Sequence, residues 1–597
     1  MADGKAEVAV VFLASGLIEE IPVWPEAYRK KGTWRMENRF WTKQYDKEVP
    51  ASLAPYPERT LVDVVGDAAQ ERPKHPALLF KGKSISYAEL HALGQAFAGS
   101  LIDLGMKPGT RVALLVPNSP QLIIALLGIW RAGCIAVPLN PLYTERELEH
   151  SLVQSGAEAA VVLTPFYGKL KGFQGRTSIR TVVATNIKEY LPPVKQVLFS
   201  LLREQKNGHR IRIETGDLWL QELLTAKKAN PQEIQRARPS DTAVLLFSGG
   251  TTGTPKAAMG THQALLIAGR QINAWLHGKL IDWDDVIMLN MPLFHVYGLV
   301  GVLATGLTGH NTFAVIPDPR DLNDILATIK TTRAAFLPGV PALFNALLNH
   351  PKVQSRQADL TSVKLCVSAA SALLAETKHR FESITGGHVA EAYALTESMA
   401  GATMSPVLGV YKPGSIGTPL PDVDLRIVDV DGGKNIIAPG AIGEIILRAP
   451  QLMQGYWNQP EETANILRNG WLYTGDIGYQ DDDGYVFIVD RKKDLIKPGG
   501  FQVWPRDVEE VIASHPAVAE TCVGGVPDAL SVEAVKAWVV LRPGQSLSEE
   551  ELRAFCRGKL VAYKVPRFIE FRDSLPKSPV GKILRRELVA AQRTDRI

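Results

Sequence analysis

Cysteine is scarce in this chain. The four residues Cys134, Cys366, Cys522 and Cys556 lie far apart in 597 positions, with no CxxC spacing and no paired histidines. That pattern predicts neither a zinc site nor a disulfide framework, and a reducing compartment is its simplest setting. Charge of one sign is equally sparse. The 66 basic residues barely exceed the 62 acidic ones, and the excess is spread along the chain, which excludes a dedicated nucleic-acid binder.

Long uninterrupted apolar runs are missing as well. The most hydrophobic stretch, Leu122–Leu139, holds Arg131, two glycines and Pro138, so it reads as buried α/β core rather than a membrane span. A second run, Val8–Ile18, follows Glu7 and lacks the basic start and cleavage site of a signal peptide. It is expected to form a local strand or helix. Residues 1–40 carry no recognisable role, and an untethered terminus of this kind is expected to be disordered. Asp595, Arg596 and Ile597 are no peroxisomal address, and the expected location is the cytoplasm.

What is present is an ordinary globular composition, 46% apolar and 21% charged, on a chain long enough for several domains. From about Thr60 onward a helical pattern such as Tyr87–Leu104 alternates with short apolar runs such as Val112–Val116 and Ala159–Leu163. Further strand candidates are Ala243–Phe247, Val286–Asn290, Thr312–Ile316, Ala334–Leu337 and Leu365–Val367. Alternation of this kind predicts one large layered α/β body. Near Pro413 the text turns glycine-rich and strand-like, as in IGEIILRAP and GYVFIVDR, predicting a small β subdomain over 413–490. After a charged junction at 490–494, Val508–Ala513, Val535–Leu541 and Glu549–Leu560 read as helix, strand and helix. The expected organisation is an extension over 1–40, a large domain over 41–490 and a small mobile α+β domain over 494–597.

The chemistry starts at SGGTTGTPK, Ser248 to Lys256, directly after the apolar strand candidate AVLLF. Glycines allow close approach of the backbone to an anion, hydroxyls donate to phosphate oxygens, and Lys256 adds a point charge. The spacing is not that of a Walker A loop. From composition alone a flexible surface turn is the other reading. The run resembles the signature loop of the adenylate-forming, or AMP-binding, superfamily, and further motifs of that superfamily follow in the same order over roughly residues 60–590. The resemblance implies that Ser248, Gly249, Gly250, Thr251, Thr252, Gly253, Thr254 and Lys256 hold the ATP pyrophosphate.

MPLFHVYG (291–298) resembles the motif whose histidine stands at the acyl pocket, which implies a gating role for His295 with Phe294 and Tyr297 as lining. EAYALTES (391–398) is similar to the adenine and magnesium segment, which implies that Tyr393 stacks on adenine, Thr396 donates to phosphate and Glu397 helps hold Mg²⁺, a cation that takes one or two carboxylates plus phosphates. Alanines at 369, 370, 392 and 394 stand where the superfamily often has glycine, and their methyls are expected either to narrow the acyl channel or to shift the adenine. In YTGDIGYQDDDGYVFIVDRKKDLIKPGGFQVWP (473–505), Asp476 and Arg491 are implied to bind the ribose hydroxyls, a structural ion pair being the alternative. Lys493 falls at the hinge position, and Lys497 and Gly500 in the loop serving thioester formation. LPKSPVGKILRREL (575–588) resembles the motif carrying the adenylation lysine, Lys582, the alternative being a basic solvated helix. Val532 departs from a common glycine, with an effect expected only on a turn.

Within the superfamily the likeness is closest to bacterial long-chain fatty acid–CoA ligases, carried also by FWTKQYDKEVPASLAPYPERTLVDVV (40–65) and KEYLPPVKQVLFSLLREQKNGHR (188–210). It implies ATP, Mg²⁺ and CoA, and a carboxylic acid, most simply a fatty acid, as substrate. The alternatives are an acyl-AMP ligase loading a carrier protein and a non-catalytic acyl- or nucleotide-binding relative. A homodimer is compatible with the sequence. So is peripheral contact with the inner face of a membrane, because the leucine-rich core of 188–210 is flanked by Lys188, Lys195, Arg203, Lys206 and Arg210; a plain amphipathic surface helix is the competing reading of that segment.

Overall fold

The computed structural model describes residues 39–225, 237–248, 255–430, 432–498, 503–528, 532–577 and 583–594. The Val8–Ile18 run and the rest of the extension up to residue 38 lie outside the described residues, as do 249–254, 499–502 and 578–582. Among the described residues the strands form four sheets.

The predicted single α/β body is built on two of them. One sheet runs in the order Leu218–Trp219, Thr181–Thr185, Ala159–Leu163, Arg111–Leu115, Ile135–Pro138, Thr242–Ser248 and Lys256–Thr261. It is parallel except for its last pair, where Ser248 lies opposite Lys256 in an antiparallel register. The other centres on the parallel strands Pro76–Phe80, Thr312–Val315, Val286–Leu289, Phe336–Gly339, Leu365–Ser368 and His388–Tyr393. The strands of both are short β-branched or leucine-rich runs, and Ala159–Leu163, Ile135–Pro138 and Thr312–Val315 are buried along their whole length, as expected for strands covered on both faces.

Helices Tyr87–Asp103 and Pro120–Arg131 belong to the core shared by strands of both sheets. The first starts on a capping box in which Ser86 and Glu89 satisfy each other's backbone N–H, and the second on Ser119 with Pro120 in its first turn, both strong start signals. Gly128 has a packing reason: a Cβ there would stand 2.6 Å from the Phe97 ring, so only glycine lets the two helices close. Trp130, two residues on, donates its indole N–H to the Ala243 carbonyl at 2.9 Å. That bond fastens the helix to the strand from which the phosphate loop departs. Leu122–Leu139 is thus buried core, and all four cysteines are buried and free.

The glycine-rich region carries a separate antiparallel sheet of Asp424–Val428, Gly443–Arg448, Trp471–Gln480, Leu467–Arg468 and Val486–Arg491. Arg39 is buried against it, ion-paired to Asp424 at 2.8 Å and Asp422 at 3.5 Å. The last region holds the three-stranded sheet Val518–Asp528, Val532–Leu541 and Phe568–Phe571, flanked by helices Pro505–Ala513, Glu549–Arg557 and Arg585–Thr594. It is a small α+β unit with its own apolar cluster around Val508, Val523, Val539 and Leu552. Val532 opens the second of these strands. No helix among the described residues is long and apolar enough to cross a membrane.

Candidate active site

The phosphate-loop text connects two antiparallel strands, Thr242–Ser248 and Lys256–Thr261, and not a strand to a helix, which separates it structurally from a Walker A loop. Ser248 closes its base by donating Oγ–H to the Lys256 carbonyl at 3.3 Å. Gly249, Gly250, Thr251, Thr252, Gly253 and Thr254 lie outside the described residues. The Lys256 ammonium forms an ion pair with Glu462 and sits 5.3 Å above the ring of Tyr456.

Tyr456 in turn donates its phenol to Glu397 Oε1 at 2.6 Å, and the Met453 N–H donates to the Glu397 carbonyl at 2.9 Å. Burial, reinforced by the Glu397 charge, pushes the Tyr456 phenol well above the usual range, so it stays a donor. Lys256, Tyr456 and Glu397 therefore form one chain of contacts between the loop and the EAYALTES segment. Sequence reasoning singles out neither Tyr456 nor Glu462. The only signal available is the aromatic pair Tyr456-Trp457 after Gly455, whose φ of 148° only glycine holds easily. Thr396, half-buried, precedes Glu397 and accepts the Met399 N–H on its carbonyl at 3.2 Å.

A second cluster adjoins the first. Strands Trp471–Gln480 and Val486–Arg491 place Asp476 directly opposite Arg491, and the guanidinium Nε meets Asp476 Oδ1 at 2.6 Å. The other carboxylate oxygen accepts the Tyr393 phenol at 2.5 Å. Asp476 is almost wholly buried while Arg491 keeps 30% of its side chain exposed. Burial works against the Arg491 charge, but Asp476, Tyr393 and more distant acids including Glu397 outweigh it and hold the guanidinium protonated. Burial, then Asp476, raises the Tyr393 phenol well above its ordinary range. The ion pair named above as the alternative for Asp476 and Arg491 is thus present, across paired strands; Arg491 remains accessible at the rim.

His295 lies elsewhere, at a small cleft lined by Met291, Pro292, Tyr297, Gly298, Val340 and Ala370. Its Nδ1 accepts the Tyr297 N–H at 3.2 Å, which places the proton of the neutral ring on Nε2. Tyr297 lines the cleft as expected and donates its hydroxyl to the Val367 carbonyl at 2.7 Å, whereas Phe294 is not among the lining residues. Of the four alanines, Ala370 reaches the cleft, and it does so with φ of 73°, a left-handed conformation that favours glycine. Ala369 is buried in the core, and Ala392 and Ala394 pack against it.

Gly298 has no room for a side chain, because a Cβ would stand 2.2 Å from the Pro292 carbonyl oxygen. Gly298→Ala is expected to cost about 1–3 kcal/mol in denaturant unfolding, as overpacking does, and to lower activity by distorting the His295 turn. Gly168→Ala, at a helical glycine with nothing within 4 Å, is the matched control and leaves both unchanged or slightly stabilises the fold.

The remaining predicted residues belong to the junction and the C-terminal region. Lys493 is exposed in the turn Lys492–Asp494 that follows Arg491. Lys497 is exposed, and its backbone N–H donates to Glu533 at 2.6 Å; a bridge between Ile496 and Val503 closes the loop that carries it. Gly500 and Lys582 lie outside the described residues, but Lys577 and Ile583 bridge across the segment that holds Lys582. Three residues beyond, Arg585 spans the junction, reaching Asp494 at 2.7 Å, Glu509 at 2.9 Å and buried Asp490 at 3.3 Å. Sequence reasoning misses it, because one arginine in a basic run carries no mark of its partners.

The AMP-binding enzyme family matches residues 65–457 and the AMP-binding enzyme C-terminal domain matches 507–582. The chain is 39% identical to a long-chain-fatty-acid–CoA ligase of Bacillus subtilis, over 92% of this chain and 97% of that one, and 38% identical to its counterpart in Escherichia coli O157:H7, over 92% and 98%. Among solved structures, the anthranilate CoA ligase AuaEII in complex with anthranoyl-AMP superposes with a TM-score of 0.78 at 27% identity, over 92% of this chain and 99% of that one. ATP-bound MatB from Rhodopseudomonas palustris superposes with a TM-score of 0.76 at 28% identity, over 90% and 99%.

Proposed function

Since the chain belongs to the AMP-binding enzyme family, we propose that it is an ATP-dependent fatty acid–CoA ligase. It joins a carboxylate to ATP as acyl-AMP with release of pyrophosphate, then passes the acyl group to the CoA thiol with release of AMP. The observation that carries this reading is the adjacency of the two clusters: Lys256–Tyr456–Glu397 at the loop and Tyr393–Asp476–Arg491 beside it, with Arg491 within the electrostatic reach of Glu397. One supplies charge for phosphates and the other a buried acceptor and a fixed donor for a ribose.

In the first step the substrate carboxylate oxygen attacks the α-phosphorus and the bond to pyrophosphate breaks. The chain positions and neutralises, as proteins generally do in phosphoryl transfer. Lys256 exchanges Glu462 for the phosphate chain, and the amides and hydroxyls of 248–254 donate to the same oxygens. Asp476 accepts from the ribose hydroxyls, Arg491 donates to them, and Tyr393 offers its ring to the adenine. Thr396 donates to phosphate, and Lys582 brings a further cation to the reacting oxygens. His295, protonated on Nε2, stands at the carboxylate side of the cleft.

Mg²⁺ fits the donor set. Glu397 presents one half-buried carboxylate whose second oxygen is not taken by Tyr456, and a single carboxylate plus substrate phosphates is the usual Mg²⁺ environment. Bound there, Mg²⁺ would neutralise charge on the phosphate oxygens. In the second step Lys497 and Gly500 serve the thiol after the C-terminal region turns about Lys493, which requires Arg585 to release Asp490 and Asp494.

Pyrophosphate release from ATP and palmitate, measured with and without CoA, tests the proposal. The expected result is CoA-dependent formation of AMP and palmitoyl-CoA. A burst of pyrophosphate that CoA does not pull through to thioester indicates a carrier-loading acyl-AMP ligase instead, and no pyrophosphate with any carboxylic acid overturns the enzymatic assignment.

A further inference from the structure

Helix Pro193–Leu202 is ten residues long and rich in leucine and valine, yet none of its residues is buried. Its apolar side chains are the exposed ones. Val194, Val197, Leu198, Leu201 and Leu202 keep 73%, 60%, 50%, 76% and 69% of their surface in solvent. At positions i, i+3, i+4, i+7 and i+8 they fall on one stripe, the stripe that normally faces a core. Scattered exposed leucines need no explanation, but a contiguous apolar face of several hundred Å² on a folded monomer marks a docking surface.

The opposite face is anchored, so the outward orientation is held by specific bonds. Gln196 donates to the Lys188 carbonyl at 3.1 Å, Lys195 donates to the Lys81 carbonyl at 2.6 Å, and Phe199 packs edge-on against His209 with ring centroids 5.3 Å apart. The charges around the stripe are unbalanced. The neighbouring acid Glu204 is ion-paired to Lys188, Glu189 accepts hydrogen bonds from Thr185 and Gln221, and Asp324 is paired to Lys81. Arg203, Lys206 and Arg210, just past the helix, are exposed and take part in no ion pair found among the described residues. An apolar stripe edged by free cations on long, flexible stems is the pattern of a helix lying in the surface of an anionic bilayer, its leucines among the acyl chains and its cations at the headgroups.

We propose that helix Pro193–Leu202 with Arg203, Lys206 and Arg210 is a docking surface for anionic lipid bilayers. The binding is by shallow insertion, without a membrane span, and it does not depend on which acid the enzyme activates. A second copy of the chain is a poorer occupant, since the same cations would face one another across a twofold axis.

Co-sedimentation of the full-length protein with vesicles of phosphatidylcholine, or of phosphatidylcholine mixed equally with phosphatidylglycerol, tests it. The wild type is expected to bind the mixed vesicles more tightly, with binding that weakens as salt rises. L198S/L201S/L202S is expected to lose at least about tenfold in partitioning. R203Q/K206Q/R210Q is expected to lose the preference for phosphatidylglycerol and the salt dependence. Both should retain the wild-type melting temperature and soluble oligomeric state, since every altered side chain is exposed. Wild type that stays in the supernatant, or a leucine variant that sediments like wild type, overturns the proposal. So does a leucine variant whose only change is dissociation of a dimer. Sedimentation reads binding without turnover, so its outcome is separable from failure of the ligase assignment.

Discussion

Asp476→Ala is expected to abolish measurable pyrophosphate release at ATP concentrations that saturate the wild type, and to destabilise the fold at the same time. Two groups depend on that carboxylate, the Arg491 guanidinium at 2.6 Å and the Tyr393 phenol at 2.5 Å. Deleting one member of a buried pair leaves the other uncompensated, at a cost of about 3–5 kcal/mol when both are dry. Arg491 retains 30% exposure, so solvent takes up part of the loss, and about 2–3 kcal/mol is expected. Asp476→Asn separates the two effects. It keeps an acceptor for Tyr393 and a similar volume, so denaturant unfolding should recover most of the stability. It removes the negative charge that opposes Arg491 and accepts from the ribose, so KM for ATP should still rise by roughly 10–100-fold, the size of one or two charge-assisted hydrogen bonds. If Asp476→Ala retains the wild-type KM for ATP while unfolding more easily, the pair is only structural.

That result bears directly on how much of the site can be seen before the fold is known. Two different facts about Asp476 and Arg491 are superposed. Their place in the YTGD…DRKKD text points to a nucleotide, whereas their antiparallel register makes them an ion pair in the resting protein. Sequence carries the first fact because motif residues keep a fixed spacing, and it leaves the second open because pairing depends on a bulge between Ile477 and Gly478 that no local pattern announces. Tyr456 shows the same limit. Its role depends on reaching Glu397 across 59 positions, and nothing near Gly455 names that partner.

The elements themselves are legible where local signals agree. Tyr87–Leu104 has a capping box at its start and an amphipathic period, and the helix runs Tyr87–Asp103. Ala159–Leu163 is an apolar run between turns, and the strand has those same bounds. What alternation cannot convey is which strands pair. Pro76–Phe80 precedes all of the first sheet in the chain yet joins the second, beside Thr312–Val315, and the expected single body therefore stands on two sheets. Helix Pro193–Leu202 marks a further boundary: its leucines read equally as a core-facing stripe or a bilayer-facing one, and only their exposure distinguishes the two.

Lys582→Ala should divide the reaction. Its loop is closed by the Lys577–Ile583 bridge and followed by Arg585, whose bonds to Asp490, Asp494 and Glu509 hold the start of the last helix against the junction. On the proposal that the C-terminal region turns between the half-reactions, Lys582 serves the first of them, the one in which Arg585 keeps this arrangement. Losing one preorganised donor to a charge that develops in the transition state lowers the rate by about 10²–10³-fold. Pyrophosphate release from ATP and palmitate should fall by that factor. Thioester formation from separately supplied palmitoyl-AMP and CoA should stay within about threefold of wild type, because no phosphate charge then builds near Lys582. Arg585→Ala is expected to behave differently, lowering both rates, since it removes the tie that defines the resting arrangement and leaves Asp490 buried without its cation. Equal losses in both half-reactions for Lys582→Ala would place that lysine in the scaffold and transfer the first step to Lys256 and the loop alone.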